Sequence, residues 1–232
     1  NGASTQVNYD GFKKEQTKLN EYLARLSKVE QSKFDAWDKD KQLAFLINAY
    51  NAYTIALILT EYPDIASIRD LGSFFSSPWK KEIAPLLGET RTLDEIEHEL
   101  IRGTNQTTKT YNEPRIHFAV NCASVGCPAL REEAYTGNKL DEQLEAQTKR
   151  FLSDSARNKM SGDTLYLSKI FDWYSEDFEG KYGVWRDTST LNEFILLYKD
   201  AMRLTEAQVS ALKNNTADIE YLNYDWALNV AQ

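Results

Sequence analysis

The stretch Leu43-Ala44-Phe45-Leu46-Ile47-Asn48-Ala49-Tyr50-Asn51-Ala52-Tyr53-Thr54-Ile55-Ala56-Leu57-Ile58-Leu59 decides the fold of this 232-residue chain. Apolar side chains occupy nearly every face of a helix built from it, so it predicts a central helix without a solvent side. Asp38 and Asp40 are candidate N-caps where this helix begins. Pro63 follows its end, because proline cannot continue a helix.

Two amides interrupt this stretch, and both lie on one face of the expected helix. Asn48 and Asn51 are three positions apart, a spacing that places side chains side by side. A buried amide costs free energy unless it is hydrogen-bonded. The pair therefore either binds the backbone of a neighbouring segment or orients a catalytic group or a substrate.

The remaining periodicity predicts an α+β fold, with the central buried helix packed on an antiparallel sheet and surrounded by further helices. The chain lacks repeats and low-complexity linkers, so residues 1–232 are expected to form a single domain. Helices are expected at residues 9–37, 140–152, 170–178, 191–202 and 206–213, and from Thr92 or Asp94 to Gly103. Strands are expected at residues 81–87, 115–121 and 164–167, with a late strand or an extended tail at 219–228.

Charge and composition narrow the possible partners. A net charge of -8 argues against nucleic acid, which requires a basic face to displace counterions from phosphates, and it disfavours anionic membrane surfaces. Polar residues interrupt every long apolar run, so no membrane span is expected. The chain begins without Met or an apolar signal region, which indicates that a leader was removed or the sequence trimmed.

All the histidine and cysteine of the chain is concentrated in one segment. His98, His117, Cys122 and Cys127 are its two His and two Cys residues, and they lie within thirty positions. Because both residue types are scarce, their proximity indicates a candidate site. We expect both histidines and one cysteine to converge on a pocket lined by Tyr or Trp.

Cys127 is the first candidate nucleophile. It precedes Pro128, and proline suits the first turn of a helix, so Cys127 could lie at a helix N-terminus where the dipole lowers the pKa of a thiol. Cys122 closes the strand expected at 115–121 and is expected to face inward.

A general base and a group to orient it would complete a cysteine mechanism. His98 or His117 is the expected base, and Asn121, Glu97 or Asp94 could orient its imidazole. Substrate contacts are expected from amides, a guanidinium and aromatic side chains whose polar tips suit pocket walls. These candidates are Asn48, Asn51, Asn121, Arg131, Trp79 and Tyr174.

Three other interpretations of the cysteines stay open. They could be a buried thiol and a loop thiol without a role in catalysis. They could form a disulfide, as in an exported protein. Two Cys and two His also match the inventory of a structural zinc site, although Cys-x4-Cys with two unrelated His positions is not a finger or ribbon pattern. We expect no metal and no cofactor.

Several motifs resemble those of the family known as domain of unknown function 547. The main one is Pro114-Arg115-Ile116-His117-Phe118-Ala119-Val120-Asn121-Cys122-Ala123-Ser124, followed by Cys127-Pro128. The others, in chain order, are residues 44–52, Leu93-Asp94-Glu95-Ile96-Glu97-His98, Ser168-Lys169-Ile170-Phe171-Asp172-Trp173-Tyr174 and Tyr224-Asp225-Trp226-Ala227-Leu228-Asn229. The resemblance therefore covers most of the chain, in order.

The resemblance implies a bacterial protein that is periplasmic or otherwise exported, because bacterial members of that family often look exported. Some animal members carry the domain beside glutaredoxin-like modules, which suggests thiol or glutathione chemistry. Plant members lack a cysteine matching Cys127, which argues against one cysteine mechanism for the whole family. The expected fold is also similar to papain and transglutaminase, although in those folds the nucleophilic cysteine begins the central helix, and residues 38–43 contain none.

Two functions follow from these observations. The first is a cysteine-dependent hydrolase or acyl transferase acting on a peptide or thiol-peptide. The alternative is a non-catalytic domain that binds a peptide or small-molecule ligand in an aromatic-rich cleft. A zinc-stabilised structural domain is a third, less specific possibility.

Overall fold

The computed structural model describes residues 6–73, 76–103, 110–181 and 183–231. In those ranges the α-helices are α1 (Tyr9–Lys14), α2 (Gln16–Ser27), α3 (Gln31–Asp35), α4 (Lys39–Leu59), α5 (Leu140–Leu152), α6 (Ile170–Trp173), α7 (Ser175–Phe178), α8 (Leu191–Leu197) and α9 (Glu206–Lys213). A π-helix spans Glu95–Ile101, and 3-10 helices include Pro114–Phe118 and Gly137–Lys139.

Helix α4 lies at the centre of the fold, as the sequence predicts. The Asp38 side chain caps it by accepting a hydrogen bond from the Lys41 amide at 2.8 Å. Helices α1, α2 and α5, the π-helix and the 3-10 helix Gly137–Lys139 surround it. By length and composition alone α4 could cross a bilayer, but 78% of its apolar window is buried inside the fold.

Two small sheets complete the α+β architecture. Strands β1 (Ala84–Leu86) and β2 (Glu89–Arg91) form an antiparallel pair. Strand β4 (Thr164–Leu167) pairs antiparallel with β3 (Lys159–Ser161) and parallel with β5 (Asp218–Tyr221). The first pair packs against α4, where the Tyr53 hydroxyl donates a 2.7 Å hydrogen bond to the Pro85 carbonyl. The predicted class and buried central helix are therefore confirmed.

The predicted strand at 115–121 is wrong. Residues Pro114–Phe118 form a 3-10 helix instead, and no β-ladder includes them. Proline suits its first turn because its missing N–H would have no helical partner there, and the Glu113 side chain accepts from the Arg115 amide at 3.1 Å. The segment is buried on all sides, so its apolar pattern has no polar face from which a period can be recognised.

Several other boundaries differ from the predicted ones. Residues 9–37 form three helices, residues 170–178 divide into α6 and α7, and α8 ends at Leu197 rather than at residue 202. Tyr174 interrupts the second of these segments because its backbone leaves the helical region, with φ −118° and ψ 26°. Helices α5 and α9 and strand β4 have the predicted bounds.

Two hydrophobic clusters meet at the 3-10 helix Pro114–Phe118. One surrounds α4 and includes Ile116; the other includes Phe118 and four further buried phenylalanines. Those four are Phe151, Phe171, Phe178 and Phe194. Because Ile116 and Phe118 are each anchored in a different cluster, His117 between them is held in a defined position. The single domain predicted for residues 1–232 stays a prediction.

Candidate functional site

One cavity of about 250 Å³ brings the candidate residues together. His98, His117, Cys122 and Cys127 all line it, as do Glu97 and Asp94. Its aromatic walls are Tyr50, Trp79, Trp173, Tyr174, Tyr224 and Trp226. The predicted convergence of both histidines and a cysteine on a Tyr- and Trp-lined pocket is confirmed.

A buried carboxylate, that of Asp177, binds one of the two nitrogens of the His117 imidazole. Its Nε2 lies 2.7 Å from Asp177 Oδ2, which also accepts from Arg102 Nε at 2.7 Å. Although burial alone would raise the pKa of Asp177, hydrogen bonds from His117 and Arg102 and their charges hold it well below its usual range. Because this carboxylate is ionised, His117 Nε2 donates the proton. The imidazole Nδ1 then has no hydrogen-bond partner among the described residues.

Tyr174 links His117 to a buried carboxylate of the cavity. Its ring stacks on the His117 imidazole with centroids 4.0 Å apart. Its hydroxyl donates to Glu97 Oε1 at 2.8 Å. Burial and the adjacent Glu97 carboxylate raise the pKa of Tyr174 and of Tyr50 well above their ordinary value, so both hydroxyls stay protonated. Glu97 is only 6% exposed, and no ion pair to it occurs in the described ranges.

His98 belongs to the same network through Arg102. Arg102 Nη1 lies 3.0 Å from His98 Nδ1, and since arginine only donates, this nitrogen accepts. The other ring nitrogen, Nε2, is 4.0 Å from Asp94 Oδ1. Arg102 also packs over the Tyr174 ring at 4.7 Å. One guanidinium therefore positions both imidazoles, but Arg102 itself does not line the cavity.

The two cysteines form a disulfide, so the disulfide alternative describes this structure and neither sulfur is a free thiol. The helix start predicted at Cys127 does not form, and the role of Cys127 as a nucleophile stays a prediction. Residues 127–131 are not helical, and Cys127 is the more buried residue of the pair, at 3% exposure, whereas Cys122 is partly exposed. The prediction assumed a helix after Pro128 that does not form. With both sulfurs bonded, they are not available as a thiolate pair for zinc.

Tyr224 closes the cavity over the disulfide. Its hydroxyl is 3.1 Å from Cys122 Sγ, 3.2 Å from Cys127 Sγ and 3.0 Å from Ser124 Oγ. This approach requires a glycine in the loop, because a Cβ on Gly126 would lie 2.9 Å from the Tyr224 ring.

Asn51 and Asn121 support the cavity wall without lining it. Asn51 Nδ2 donates to the Ala119 carbonyl at 3.0 Å, and its Oδ1 accepts from the Asn121 amide at 2.8 Å. The Asn121 side chain in turn donates to the Pro128 carbonyl at 2.7 Å and accepts from the Ala123 amide at 2.9 Å. These two amides hold the loop that carries the disulfide, so the backbone-binding interpretation of Asn51 is confirmed.

Asn48 and Arg131 also lie outside this cavity. Asn48 binds both backbone groups of Tyr135, at 2.8 and 2.9 Å, and Arg131 pairs with Glu133 at 2.7 Å. Of the predicted substrate contacts, the cavity lining includes Trp79 and Tyr174.

The sequence did not reveal Asp177 and Arg102, which position the histidines. Asp177 follows Tyr174 by one helical turn, but Asp172 and Glu176 lie in the same segment, so the sequence did not distinguish Asp177 from the neighbouring acids. Tyr224 and Trp226 fell within the tail motif without an assigned role.

A family described as "Protein of unknown function, DUF547" matches residues 34–152, about half of the chain. The matched range contains α4, both histidines and both cysteines, but not Asp177 or Tyr224. No curated protein and no solved structure matches the chain. The similarity to papain and transglutaminase folds stays a prediction.

Proposed function

The chain belongs to the DUF547 family, and we propose that it is a ligand-binding domain whose aromatic cavity takes a small molecule or a peptide side chain. The observation that carries this proposal is the cavity itself. Six aromatic side chains and a few convergent polar groups surround about 250 Å³. Such a combination of apolar walls and few, placed polar groups is typical of ligand sites.

The aromatic walls form a connected surface. The Trp226 ring lies 4.6 Å from Tyr224 and 5.7 Å from both Trp79 and Trp173, measured between centroids. Trp173 remains 44% exposed, which is unusual for so large an apolar side chain. A ligand that covered this ring would remove apolar area from water, which favours binding.

The polar groups of the cavity also support a ligand. His117 Nδ1 is buried and lacks a hydrogen-bond partner among the described residues. A buried polar atom without a partner costs about 1–3 kcal/mol, so an occupant that supplied a hydrogen bond would recover free energy.

A titration with small aromatic fragments and dipeptides, followed by heteronuclear NMR, tests the proposal. We expect binding that shifts the indole signals of Trp79, Trp173 and Trp226, and weaker binding to Trp173→Ala. Tyr22→Ala is the matched control, because Tyr22 is an exposed aromatic on α2. Fragments that bound Trp173→Ala as tightly as the wild type, or shifted signals elsewhere, would contradict the proposal.

Thiol-dependent acyl transfer is a second candidate, favoured by the His117–Asp177 pair in the cavity that holds Cys122. After a dithiol reduces the disulfide to two thiols, Cys122 is the more accessible sulfur. His117 Nδ1 would take the Cys122 proton, and the thiolate would attack a carbonyl carbon. The leaving group would then depart with a proton from His117, and water would hydrolyse the acyl-cysteine.

Mass spectrometry of the reduced protein during alkylation tests this candidate. We expect Cys122 to react faster than Cys127, and faster than a model thiol below neutral pH, because thiolate is the reactive form. His117→Ala should slow the reaction towards the model rate, and a thioester substrate should be consumed only after reduction. Equal alkylation rates in wild type and His117→Ala would exclude His117 as the base.

A further inference from the structure

The described lining of the cavity has acidic side chains but no Lys or Arg. Among the described lining residues the carboxylates are Asp94 and Glu97, and neither Lys nor Arg lines the space. Cations approach the lining from outside it. Arg102 is directed to Asp177 and His98, Arg69 packs over the Trp226 ring at 5.3 Å, and the charge of Lys80 acts on Asp94. The lining thus presents two carboxylates without a lining cation to balance them.

Glu97 is the deeper of these carboxylates, and the hydroxyls of Tyr174 and Tyr50, which hydrogen-bond to it, are neutral groups. The Tyr174 hydroxyl donates to Oε1, and the described part of the chain provides no ion pair to either oxygen. An ionised carboxylate can accept about four hydrogen bonds. A buried charge of this kind requires a counter-charge or must give up its ionisation.

His117 adds a second acceptor. Its Nε2 donates to Asp177, which leaves a lone pair on the buried Nδ1 when the imidazole is neutral. Burial lowers the pKa of His117, which favours the neutral imidazole. His117 and Glu97 both line the cavity, so an occupant that carries hydrogen-bond donors would suit the unpartnered imidazole nitrogen and the remaining acceptor capacity of the carboxylate.

We propose that the ligand of this cavity carries an organic ammonium group with at least one N–H, held between Glu97, His117 Nδ1 and the aromatic rings. This inference rests on the proposed ligand-binding function and names its ligand class. Ammonium N–H groups supply the donors that both acceptors require, and the positive charge balances Glu97. The faces of Trp and Tyr attract cations, and most strongly when water is excluded.

The same features disfavour other ligands. A carboxylate or phosphate group would approach two carboxylates without a lining cation. A neutral ligand could fill the cavity but would leave the Glu97 charge unbalanced. An amine side chain or a free peptide N-terminus has the required chemistry.

Calorimetric titration with three probes of similar size, benzylammonium, benzyl alcohol and benzoate, tests this inference at neutral pH. We expect benzylammonium to bind about tenfold or more tightly than benzyl alcohol, as cation–π attraction and charge pairing in a desolvated site imply. Benzoate should bind more weakly than either. Glu97→Gln should abolish the preference for the cation, so that benzylammonium binds no more tightly than benzyl alcohol.

Glu99→Gln is the matched control, because Glu99 is an exposed acid of the same π-helix and does not line the cavity. It should keep the full preference. If Glu97→Gln does not fold, Asp94→Asn at the partly exposed side of the cavity should reduce the preference in part, and the wild-type ranking of the probes remains decisive.

Failure of the ammonium inference can be distinguished from failure of the proposed ligand-binding function. If benzyl alcohol binds in the cavity as tightly as benzylammonium, or benzoate binds best, the ammonium inference is overturned while the ligand-binding function stands. If none of the probes binds and the fragment titration also fails, both are overturned. A cation preference that survived in Glu97→Gln would exclude Glu97 as the counter-charge.

Discussion

Buried polar groups on the two sides of the loop at residues 119–128 find their partners in different ways. Behind the loop, Asn51 and Asn121 use their amides on backbone groups of the loop itself. On the cavity side, His117 Nδ1 has no partner and Glu97 has no ion pair among the described residues. Asn51 and Asn121 therefore spend their amides on holding the loop, whereas His117 and Glu97, which line the cavity, keep hydrogen-bonding capacity for a ligand.

Asp177 shares features of both sets. Its own hydrogen bonds are made within the chain, and it orients His117, which lines the cavity. Its side chain is 5% exposed and binds both Arg102 and His117. We therefore expect substitutions of Asn51 and Asp177 to destabilise the fold, and substitution of Glu97 to change ligand binding.

Asp177→Ala is expected to lower the free energy of unfolding more than the other substitutions do. The substitution leaves a buried guanidinium and an imidazole N–H without their acceptor, and breaking a buried pair in this way costs about 3–5 kcal/mol. Urea denaturation measures the free energy of unfolding. Asp172→Ala, which removes a half-exposed carboxylate paired with Lys169, is the control and should cost less than about 1 kcal/mol. Equal losses in the two variants would mean that Asp177 is not a structural anchor.

Asn51→Ala is expected to have the next largest effect. It strands the Ala119 carbonyl and the Asn121 amide, at a cost of about 1–3 kcal/mol. Asn48→Ala should lie in the same range, towards its lower end because Asn48 is only partly buried. Thermal and urea unfolding check both, with the exposed helical Asn20→Ala as control. Unchanged stability in both Asn48→Ala and Asn51→Ala would contradict the structural role of these amides.

A change of pH is expected to alter the free energy of unfolding by less than these substitutions do. Burial lowers the pKa of His117 below its ordinary value of 6.5, so the unfolded chain binds this proton more readily than the folded one. Stability is then fully present above pH 6.5 and falls as the pH drops towards the folded-state pKa. The lowered pKa of Asp177 acts in the same direction below the ordinary value of 3.8.

His117→Gln should flatten the stability profile between neutral pH and pH 5, because it removes the group that titrates there. His98→Gln provides the comparison with the second imidazole. Denaturation curves at several pH values give the slopes. A His117→Gln profile as steep as that of the wild type would exclude His117 as the source.

The smallest change in stability is expected from Glu97→Gln. The Tyr174 hydroxyl can donate to the new amide oxygen, and no ion pair to a described residue is lost, so stability should stay within about 1 kcal/mol of the wild type. This variant should nevertheless lose the cation preference. If the free energy of unfolding fell by more than about 2 kcal/mol, Glu97 would have to be paired with a cation of the chain itself. Its charge would then need no ligand, which would contradict the contrast between Glu97 and the amides behind the loop.

Local pattern was informative where one feature dominated a segment. The all-round apolar surface of residues 43–59 predicted a buried helix, and the scarcity of His and Cys drew attention to residues 98–127. It failed at Pro114–Phe118, where burial on every side removes the polar face that reveals a period. It also failed at Cys127, since a proline that would suit a helix start is followed by a loop.

The sequence by itself determined the α+β class, the central helix and the four residues that meet in one cavity. The tertiary structure decided what those residues do there. Asp177 reaches His117 across 60 positions and Tyr224 reaches Cys122 across 102, and the sulfurs bond because the loop brings them together. Periodicity reports which face of a segment is buried, but the partners found there depend on chain segments far away in sequence, which local patterns do not encode.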